Sequence, residues 1–261
     1  MSTATAFDFV HSNEIHIPHL SASTINSFIT DRFGFYQSKV KKKPFAGNEF
    51  TARGTAVEHA VNEWLENGHT NVEEVALARF DEEMRKNGLS KFDGEEVRDT
   101  IPGLARLAFN TYLPIFGEHK AKTQHKISTN LDGVSREIVG YLDFYQEGVR
   151  VRDSKVVSRT PSSMSQNYVL QGALYRHAMQ VPVTFDYFVA NKTPVHKPIT
   201  LSDDDFIFGL SYLTKAAQVI EEIEVCDNPQ RLLELMSFPN LDALYNRKDK
   251  KAAAEIWGIA F

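Results

Sequence analysis

The hydrophobic pattern changes period in the middle of this chain, and that change restricts the fold more than any other feature. Runs of β-branched and aromatic residues cover positions 135–145 and 149–157, and Gln146, Glu147 and Gly148 separate them. This pattern predicts two strands joined by a tight turn in which Gly148 supplies the backbone freedom. Further strands are predicted at residues 122–130, 185–191 and 196–201.

Residues with helical spacing flank the strands on both sides. Ser21 or Ser23 can cap a first helix, and the three aspartates after Ser202 suit the positive end of a long last helix. Pro102 predicts an interruption or a start within the helical stretch 95–116. The remaining helices are predicted at residues 55–66, 72–86 and 163–180. This order predicts an α/β fold, a central mixed β-sheet flanked by helices with an N-terminal helical elaboration.

Length and composition fit a single globular domain. The chain has 261 residues, of which 42% are hydrophobic and 24% charged, so disorder and fibrous repeats are excluded. We expect one domain over residues 1–261, with a helical part in about 20–118, a core in about 122–201 and helices in about 202–261. The single cysteine, Cys226, excludes an intrachain disulfide framework and a four-cysteine zinc or iron–sulfur cluster. There is no apolar run of membrane-spanning length and no secretory signal, so we expect a cytoplasmic protein with no membrane partner.

Charge is distributed unevenly along the chain. The net charge is −5, which argues against a protein that coats DNA over its whole surface. Residues 31–53 nevertheless contain six basic and two acidic residues, including Lys41, Lys42, Lys43 and Arg53. Such a strip is suited to phosphate binding, and it is equally typical of a solvated loop.

Asp143, Asp153 and Lys155 carry the most chemical information. Asp143 interrupts an otherwise apolar strand, where a buried carboxylate is costly unless it is paired or binds a metal. Asp153 and Lys155 are two residues apart on the next strand and therefore point to the same face. The predicted hairpin can bring the two aspartates together, and oxygen ligands favour Mg²⁺ or Mn²⁺. The alternative is a surface Asp–Lys pair on an edge strand.

Four segments, taken in order, resemble the PD-(D/E)XK nuclease superfamily, and in particular its RecB-like, CRISPR-associated-exonuclease-like and lambda-exonuclease-like branches. They are Leu20–Phe28 (LSASTINSF), Arg53–His59 (RGTAVEH), Gly140–Asp143 (GYLD) with Asp153–Lys155 (DSK), and Gln171–Tyr175 (QGALY). The resemblance spans about residues 20–180 and implies a restriction-endonuclease-like core.

The resemblance also implies a role for each matched residue. Asp143 and Asp153 would bind the metal, with the backbone carbonyl of Ser154 completing the shell, and Lys155 would be the catalytic lysine. Gln171 and Tyr175 lie on one helical face, where they would contact a DNA phosphate or position Lys155; the alternative for this pair is packing on the sheet. Further DNA contacts are expected from Lys41, Lys42, Lys43, Arg53 and Arg159.

A further metal ligand is expected at Glu58 or at its neighbour His59. RecB-like relatives often have a histidine four residues after the motif glycine, but here Glu58 occupies that position and His59 follows it. Successive helical residues point about 100° apart, so the two cannot face the site equally. Glu58 is favoured as the inward ligand, as in lambda-exonuclease-like relatives, and His59 remains the alternative. Three carboxylates would suit two divalent cations.

The expected function is a metal-dependent DNA exonuclease in recombination, repair or phage DNA processing, located in the host cytoplasm if phage-encoded. The alternatives are a structure-selective endonuclease and a noncatalytic DNA-binding subunit that keeps the nuclease fold. DNA is the expected partner, with a recombination or single-strand-binding protein as a second candidate, and the resemblance also allows a homo-oligomer. Cleavage polarity and strand preference are left open.

Overall fold

A computed structural model describes residues 17, 19–43, 47–89, 94–117 and 121–237, and its strands form one mixed sheet. The strands are β1 (Leu20–Ser21), β2 (Lys122–Thr129), β3 (Ile138–Gln146), β4 (Arg150–Val157), β5 (Val183–Val189) and β6 (Val195–Thr200). The helices are α1 (Ala22–Thr30), α2 (Arg32–Phe35), α3 (Glu49–Asn67), α4 (Val72–Lys86), α5 (Glu95–Phe116), α6 (Gln166–Met179), α7 (Asp203–Glu224) and α8 (Pro229–Met236), with a π-helical turn at Tyr36–Val40. The prediction of a mixed sheet flanked by helices is confirmed.

The sheet order is β1-β3-β4-β5-β6, and β2 pairs with β3 as well. The β1–β3 and β4–β5 pairs are parallel and the other pairs are antiparallel. Because β2 occupies one edge of β3 along nearly its whole length, β1 and β4 must share the other edge. β1 pairs with residues 138 and 139 and β4 with residues 144–146, so a stretch of open edge remains between them.

Helices cover both faces of the sheet. Apolar residues of α1, α6 and α7 pack on one face, against Leu142, Val183 and Phe185 among others. Apolar residues of α3 and α5 pack on the other, around Phe144 and Phe188. Burial of one such large apolar side chain stabilises the fold by about 1.5–3 kcal/mol, so these two layers fix the sheet between the helices.

Local signals account for most helix ends. Ser21 caps α1 by accepting the Thr24 N–H, and Ser202 caps α7 in the same way. Helix α3 begins at Glu49 rather than at the predicted residue 55, because Asn48 forms a capping box with Thr51 and starts the helix earlier. The predicted β3–β4 turn is confirmed, with Gly148 at a φ of 67°.

The prediction that Pro102 interrupts or starts a helix is wrong. Helix α5 runs without interruption through Pro102 and Pro114. A proline inside a helix costs about 3 kcal/mol. Ile101 and Leu104, on either side of the proline, are fully buried, and their packing offsets that cost.

Some expectations fall outside the described residues. The predicted C-terminal helical region begins at about residue 202, and its described part contains α7 and α8. The rest of this region, after residue 237, lies outside the described residues. No helix in the described residues is long and apolar enough to cross a membrane.

Candidate active site

The two aspartates of the predicted hairpin lie where β3 and β4 separate. The β3–β4 ladder ends with the pair Phe144 and Arg152, and Asp143 and Asp153 are the next residues of the two strands. Beyond this point the Asp143 carboxylate takes the place of a backbone acceptor, since its Oδ2 accepts the Ser154 N–H at 2.9 Å. The separation of the strands therefore makes room for a carboxylate inside the sheet.

The other edge of β3 is distorted at the same level. The register of the β2–β3 ladder puts Gln124 opposite Asp143, and Gln124 has a left-handed backbone with a φ of 44°. Its side-chain amide donates a hydrogen bond to Glu58 of α3. This contact brings the end of Glu58 to the level of Asp143 in the sheet.

Asp153 and Lys155 point to the same face of β4 and form an ion pair. Asp153 is fully buried. The ammonium of Lys155 also lies 5.2 Å from the ring centroid of Tyr168 and 5.7 Å from that of Phe185. Burial alone would lower the pKa of Lys155, but the charges of Asp153 and Asp143 outweigh it and hold that pKa above its usual value. Lys155 is therefore a permanently charged group.

Three carboxylates interact electrostatically at this site, and their ionisation is suppressed. Burial, reinforced by the charge of Asp143, raises the pKa of Glu58 to about 8 and that of Asp153 to about 7. Burial likewise raises the pKa of Asp143, which Lys155 and the Ser154 N–H partly oppose. Perturbed carboxylates gathered beside a lysine are typical of functional sites.

Gln171 and Tyr175 connect α6 to this cluster. The Gln171 amide donates to Asp153 Oδ2 at 2.9 Å and also contacts the Tyr175 hydroxyl at 2.7 Å. The Tyr175 hydroxyl donates to the backbone carbonyl of Tyr141 at 2.5 Å, within the open edge of β3. The pair thus does more than pack on the sheet. Gln171 holds the Asp153 carboxylate, and Tyr175 donates a hydrogen bond to a backbone carbonyl at the open edge of β3.

Glu58 and His59 have different surroundings. Glu58 interacts electrostatically with Asp143, Asp153 and Lys155. His59 instead interacts with Glu63, one turn further along α3. The described contacts therefore put Glu58, the favoured residue, at the cluster.

The expected DNA-binding residues are divided between two places. Arg53 is buried, donates to the Ser158 hydroxyl at 3.4 Å just beyond β4, and stacks on the ring of Phe50. Arg159 is exposed and directly follows Ser158 in the chain.

The lysine strip lies elsewhere. Lys41 is exposed, as are Lys42 and Lys43, and its ammonium lies 5.4 Å from the ring centroid of Tyr36. The Tyr36 hydroxyl in turn donates to Glu234 of α8, so Lys41 contacts a different part of the molecule from Arg53.

The acidic cluster suits a divalent cation in donor type and in charge. Asp153 Oδ1 is buried without a well-directed hydrogen bond, although Lys155 forms an ion pair with it. A cation would favour the ionised carboxylates, which crowding now disfavours. In the arrangement observed, no three His, Cys, Asp or Glu side chains of the described residues converge as a ready metal site. Glu58 and Asp153 would have to turn from Gln124 and Lys155 to bind one.

Sequence reasoning missed three contributors to this region. Gln124 carried no signal, because its role depends on the distortion of β2. Tyr168 could have been found from its helical spacing with Gln171. Asp186 is fully buried and accepts hydrogen bonds from Arg152, His196 and Tyr112. It interrupts the otherwise apolar strand β5, the same signal that singled out Asp143, and that signal could have found it.

Comparisons with known proteins bear on the fold. No family model matches the sequence, and no curated protein matches it. A crystal structure of a "putative exonuclease" from Eubacterium rectale aligns with a TM-score of 0.52 and 14% identity, covering 82% of this chain and 84% of that one. A second solved structure, SSO0001, aligns with a TM-score of 0.34 and 11% identity over 78% of this chain and 90% of that one. This similarity is too low to indicate a shared fold. The first likeness shows that this chain shares the fold of that protein.

Proposed function

We propose that this protein is a metal-dependent deoxyribonuclease of the PD-(D/E)XK superfamily that hydrolyses phosphodiester bonds. The observation that carries the proposal is the cluster of Glu58, Asp143, Asp153 and Lys155 at the point where β3 and β4 separate. The order of the motifs along the chain supports the same assignment, and so does a shared fold with a protein described as a putative exonuclease.

The residues of the cluster have distinct proposed roles. Lys155 stays protonated and stabilises negative charge that develops on the phosphate, rather than acting as a base. Gln171 holds the Asp153 carboxylate in place, and Tyr175 holds Gln171. Arg159, exposed just beyond the end of β4 nearest Lys155, contacts the DNA backbone, and the buried Arg53 supports this segment through Ser158.

Glu58, Asp143 and Asp153 are the proposed ligands of Mg²⁺ or Mn²⁺. When bound, the cations supply activation of the attacking water and neutralise charge at the phosphate and the leaving oxygen. The chain contributes the carboxylates, the fixed positive charge of Lys155 and a largely buried site in which electrostatic interactions are strong.

The proposal further specifies exonuclease activity and a role in DNA recombination, repair or phage DNA processing. It also includes association with a recombination or single-strand-binding protein. They rest on the RecB-like and lambda-exonuclease-like resemblance and on the neighbour's printed description.

Cleavage of end-labelled DNA with Mg²⁺, Mn²⁺ or EDTA tests the activity. We expect cleavage with either cation, none with EDTA, and a loss of at least about 100-fold in Asp153→Asn and Lys155→Met. Lys215→Met, on the exposed face of α7, is the matched control and should cleave at the parental rate. Equal cleavage by all four proteins, or by the parent in EDTA, would remove the assignment.

Circular single-stranded DNA separates the two nuclease classes, because an exonuclease leaves it intact and an endonuclease cuts it. Isothermal titration calorimetry tests the noncatalytic alternative. Absence of Mg²⁺ and Mn²⁺ binding up to millimolar concentration, with and without DNA, would favour a DNA-binding subunit over an enzyme.

A further inference from the structure

The ammonium of Lys155 lies between a carboxylate and two aromatic rings. It forms an ion pair with Asp153, and Nζ lies 5.2 Å from the ring centroid of Tyr168 and 5.7 Å from that of Phe185. A cation within about 6 Å of a ring centroid is attracted by the negative face of the ring. Lys155 therefore has a second attractive partner, the aromatic pair Tyr168 and Phe185, which carries no charge.

The fold holds these two rings in fixed positions. Phe185 is fully buried and lies opposite Asp153 in the parallel β4–β5 ladder. Tyr168 of α6 stacks on it, with the ring centroids 5.3 Å apart and an angle of 24° between the ring planes. At Gly172, one turn further along α6, an added Cβ atom would lie only 3.0 Å from the Phe185 ring, so helix and strand are in close contact there. The aromatic pair is therefore anchored beside β4.

Helix α6 contacts both members of the ion pair through different residues. Tyr168 and Gln171 are three residues apart, so they lie on one face of the helix. Gln171 donates a hydrogen bond to Asp153 Oδ2, whereas Tyr168 contacts Lys155. If Asp153 and Lys155 separate, each of them keeps a partner on α6.

The proposed function requires this separation. Asp153 has to turn from Lys155 to bind a cation, and Asp143, the other negative charge that acts on Lys155, is also a proposed metal ligand. The Lys155 side chain is only 19% exposed, so water replaces the lost counter-charge poorly, and a largely buried charge without a partner is costly. Hard cations such as Mg²⁺ prefer oxygen ligands, so they leave the aromatic faces to Lys155.

We propose that Tyr168 is a positioning residue that acts through Lys155. Together with Phe185 it holds the ammonium when Asp153 binds a cation, so that the positive charge stays beside the phosphate that reacts. This inference rests on the proposed function and adds Tyr168 to its site. Phe185 is also a core residue, whereas Tyr168 is only partly buried, so Tyr168 is the ring to change.

Ring-fluorinated phenylalanines at position 168 test the attraction, because fluorine weakens the negative face of the ring while its size and apolar character are largely kept. We expect Tyr168→Phe to cleave within about 2-fold of the parent. Single-turnover cleavage should then slow stepwise with one, two and three fluorines, by about 3- to 30-fold in total. The Kd for DNA, measured in EDTA, should not change, because the ring acts through Lys155 on the cleavage step.

The same fluorinated series at Tyr212, an exposed tyrosine of α7, is the matched control and should cleave at the parental rate. A ring that only fills space at position 168 would give equal rates in all of its fluorinated forms. Equal rates would therefore overturn the proposal and assign Tyr168 to packing.

The position of the ammonium is measured without turnover by NMR of protein with ¹³C-labelled lysine, in which the Lys155 signals are identified by their loss in Lys155→Met. Ring currents should shift the Lys155 Hε protons upfield, Mg²⁺ should increase this shift, and Tyr168→Leu should abolish most of the increase. A shift that grows with Mg²⁺ in a protein that cleaves no DNA would reject the nuclease and retain the aromatic contact. A shift that Mg²⁺ leaves unchanged in a protein that cleaves DNA would retain the nuclease and overturn the role of Tyr168.

Discussion

At the scale of single residues, the two fully buried aspartates of the sheet are in opposite electrostatic situations. Burial raises the pKa of Asp153 to about 7, and the charge of Asp143 adds to this effect while Lys155 partly opposes it. Asp186 is surrounded by donors; burial alone would raise its pKa, but the hydrogen bonds from Arg152 and His196 hold it below the usual value. Ionised Asp153 therefore lowers the free energy of unfolding, whereas ionised Asp186 raises it.

Asp153→Asn should abolish DNA cleavage and at the same time stabilise the metal-free protein at pH 8. The substitution removes one of three crowded negative charges and keeps the side-chain shape, while Asp143 remains as a negative partner for Lys155. We expect a gain of at least about 1 kcal/mol, or roughly 2–4 °C in Tm, by thermal unfolding in EDTA. An unchanged or lower Tm would contradict this prediction and show that the ion pair between Asp153 and Lys155 outweighs the repulsion between the carboxylates.

Asp186→Asn is the matched variant of opposite sign. It removes the bidentate partner of Arg152, leaving a largely buried guanidinium without its counter-charge. Breaking such a pair from one side costs about 3–5 kcal/mol. Urea unfolding should show a loss of this size, with the remaining folded protein still able to cleave DNA; a loss below about 1 kcal/mol would contradict the assignment of Asp186 as a structural anchor.

At the scale of elements, the open edge of β3 is the feature on which the site depends. Strands β1 and β4 occupy its two ends, and the Tyr175 hydroxyl of α6 donates to the Tyr141 carbonyl between them. A side chain thus replaces a strand as the hydrogen-bond partner. This hydrogen bond fixes the position of α6, and with it Gln171, relative to the sheet.

Tyr175→Phe tests this connection. It leaves the Tyr141 carbonyl and the Gln171 amide without the hydroxyl, so we expect a loss of about 1–3 kcal/mol in urea unfolding. Cleavage should also decrease, because Gln171 then positions Asp153 less firmly. The equivalent change at an exposed tyrosine, Tyr212→Phe, should alter neither quantity; equal effects in the two variants would assign Tyr175 to ordinary packing.

The same edge shows what sequence patterns can predict here. Period and turn chemistry predicted the hairpin, and alternation correctly put Asp153 and Lys155 on one face of β4. The two-residue strand β1 could not be predicted, because it is defined by pairing with β3 rather than by its own sequence. The continuous helix through Pro102 also escaped prediction, since burial of its neighbours overrides a local breaking signal. The contact between Gln124 and Glu58 joins residues 66 positions apart and has no local signature.

At the scale of the whole molecule, the acidic cluster should make folding stability depend on pH in an unusual direction. Glu58 and Asp153 have pKa values of about 8 and 7 in the folded protein, against 4.5 and 3.8 in an unfolded chain. Between these limits the folded state binds more protons than the unfolded state. The free energy of unfolding of the metal-free protein should therefore fall as pH rises from about 4.5 to 8.

Divalent cations should reverse this loss, because they bind the ionised carboxylates of the folded state alone. We expect millimolar Mg²⁺ or Mn²⁺ to raise Tm clearly at pH 8 and little at pH 5, where Glu58 and Asp153 are protonated. The double variant Glu58→Gln, Asp153→Asn should have a flatter pH profile and a much smaller cation effect. If the parent and the double variant gave the same profile with and without the cation, the carboxylates would have to be separated in solution, and the proposed metal site would lose its electrostatic basis.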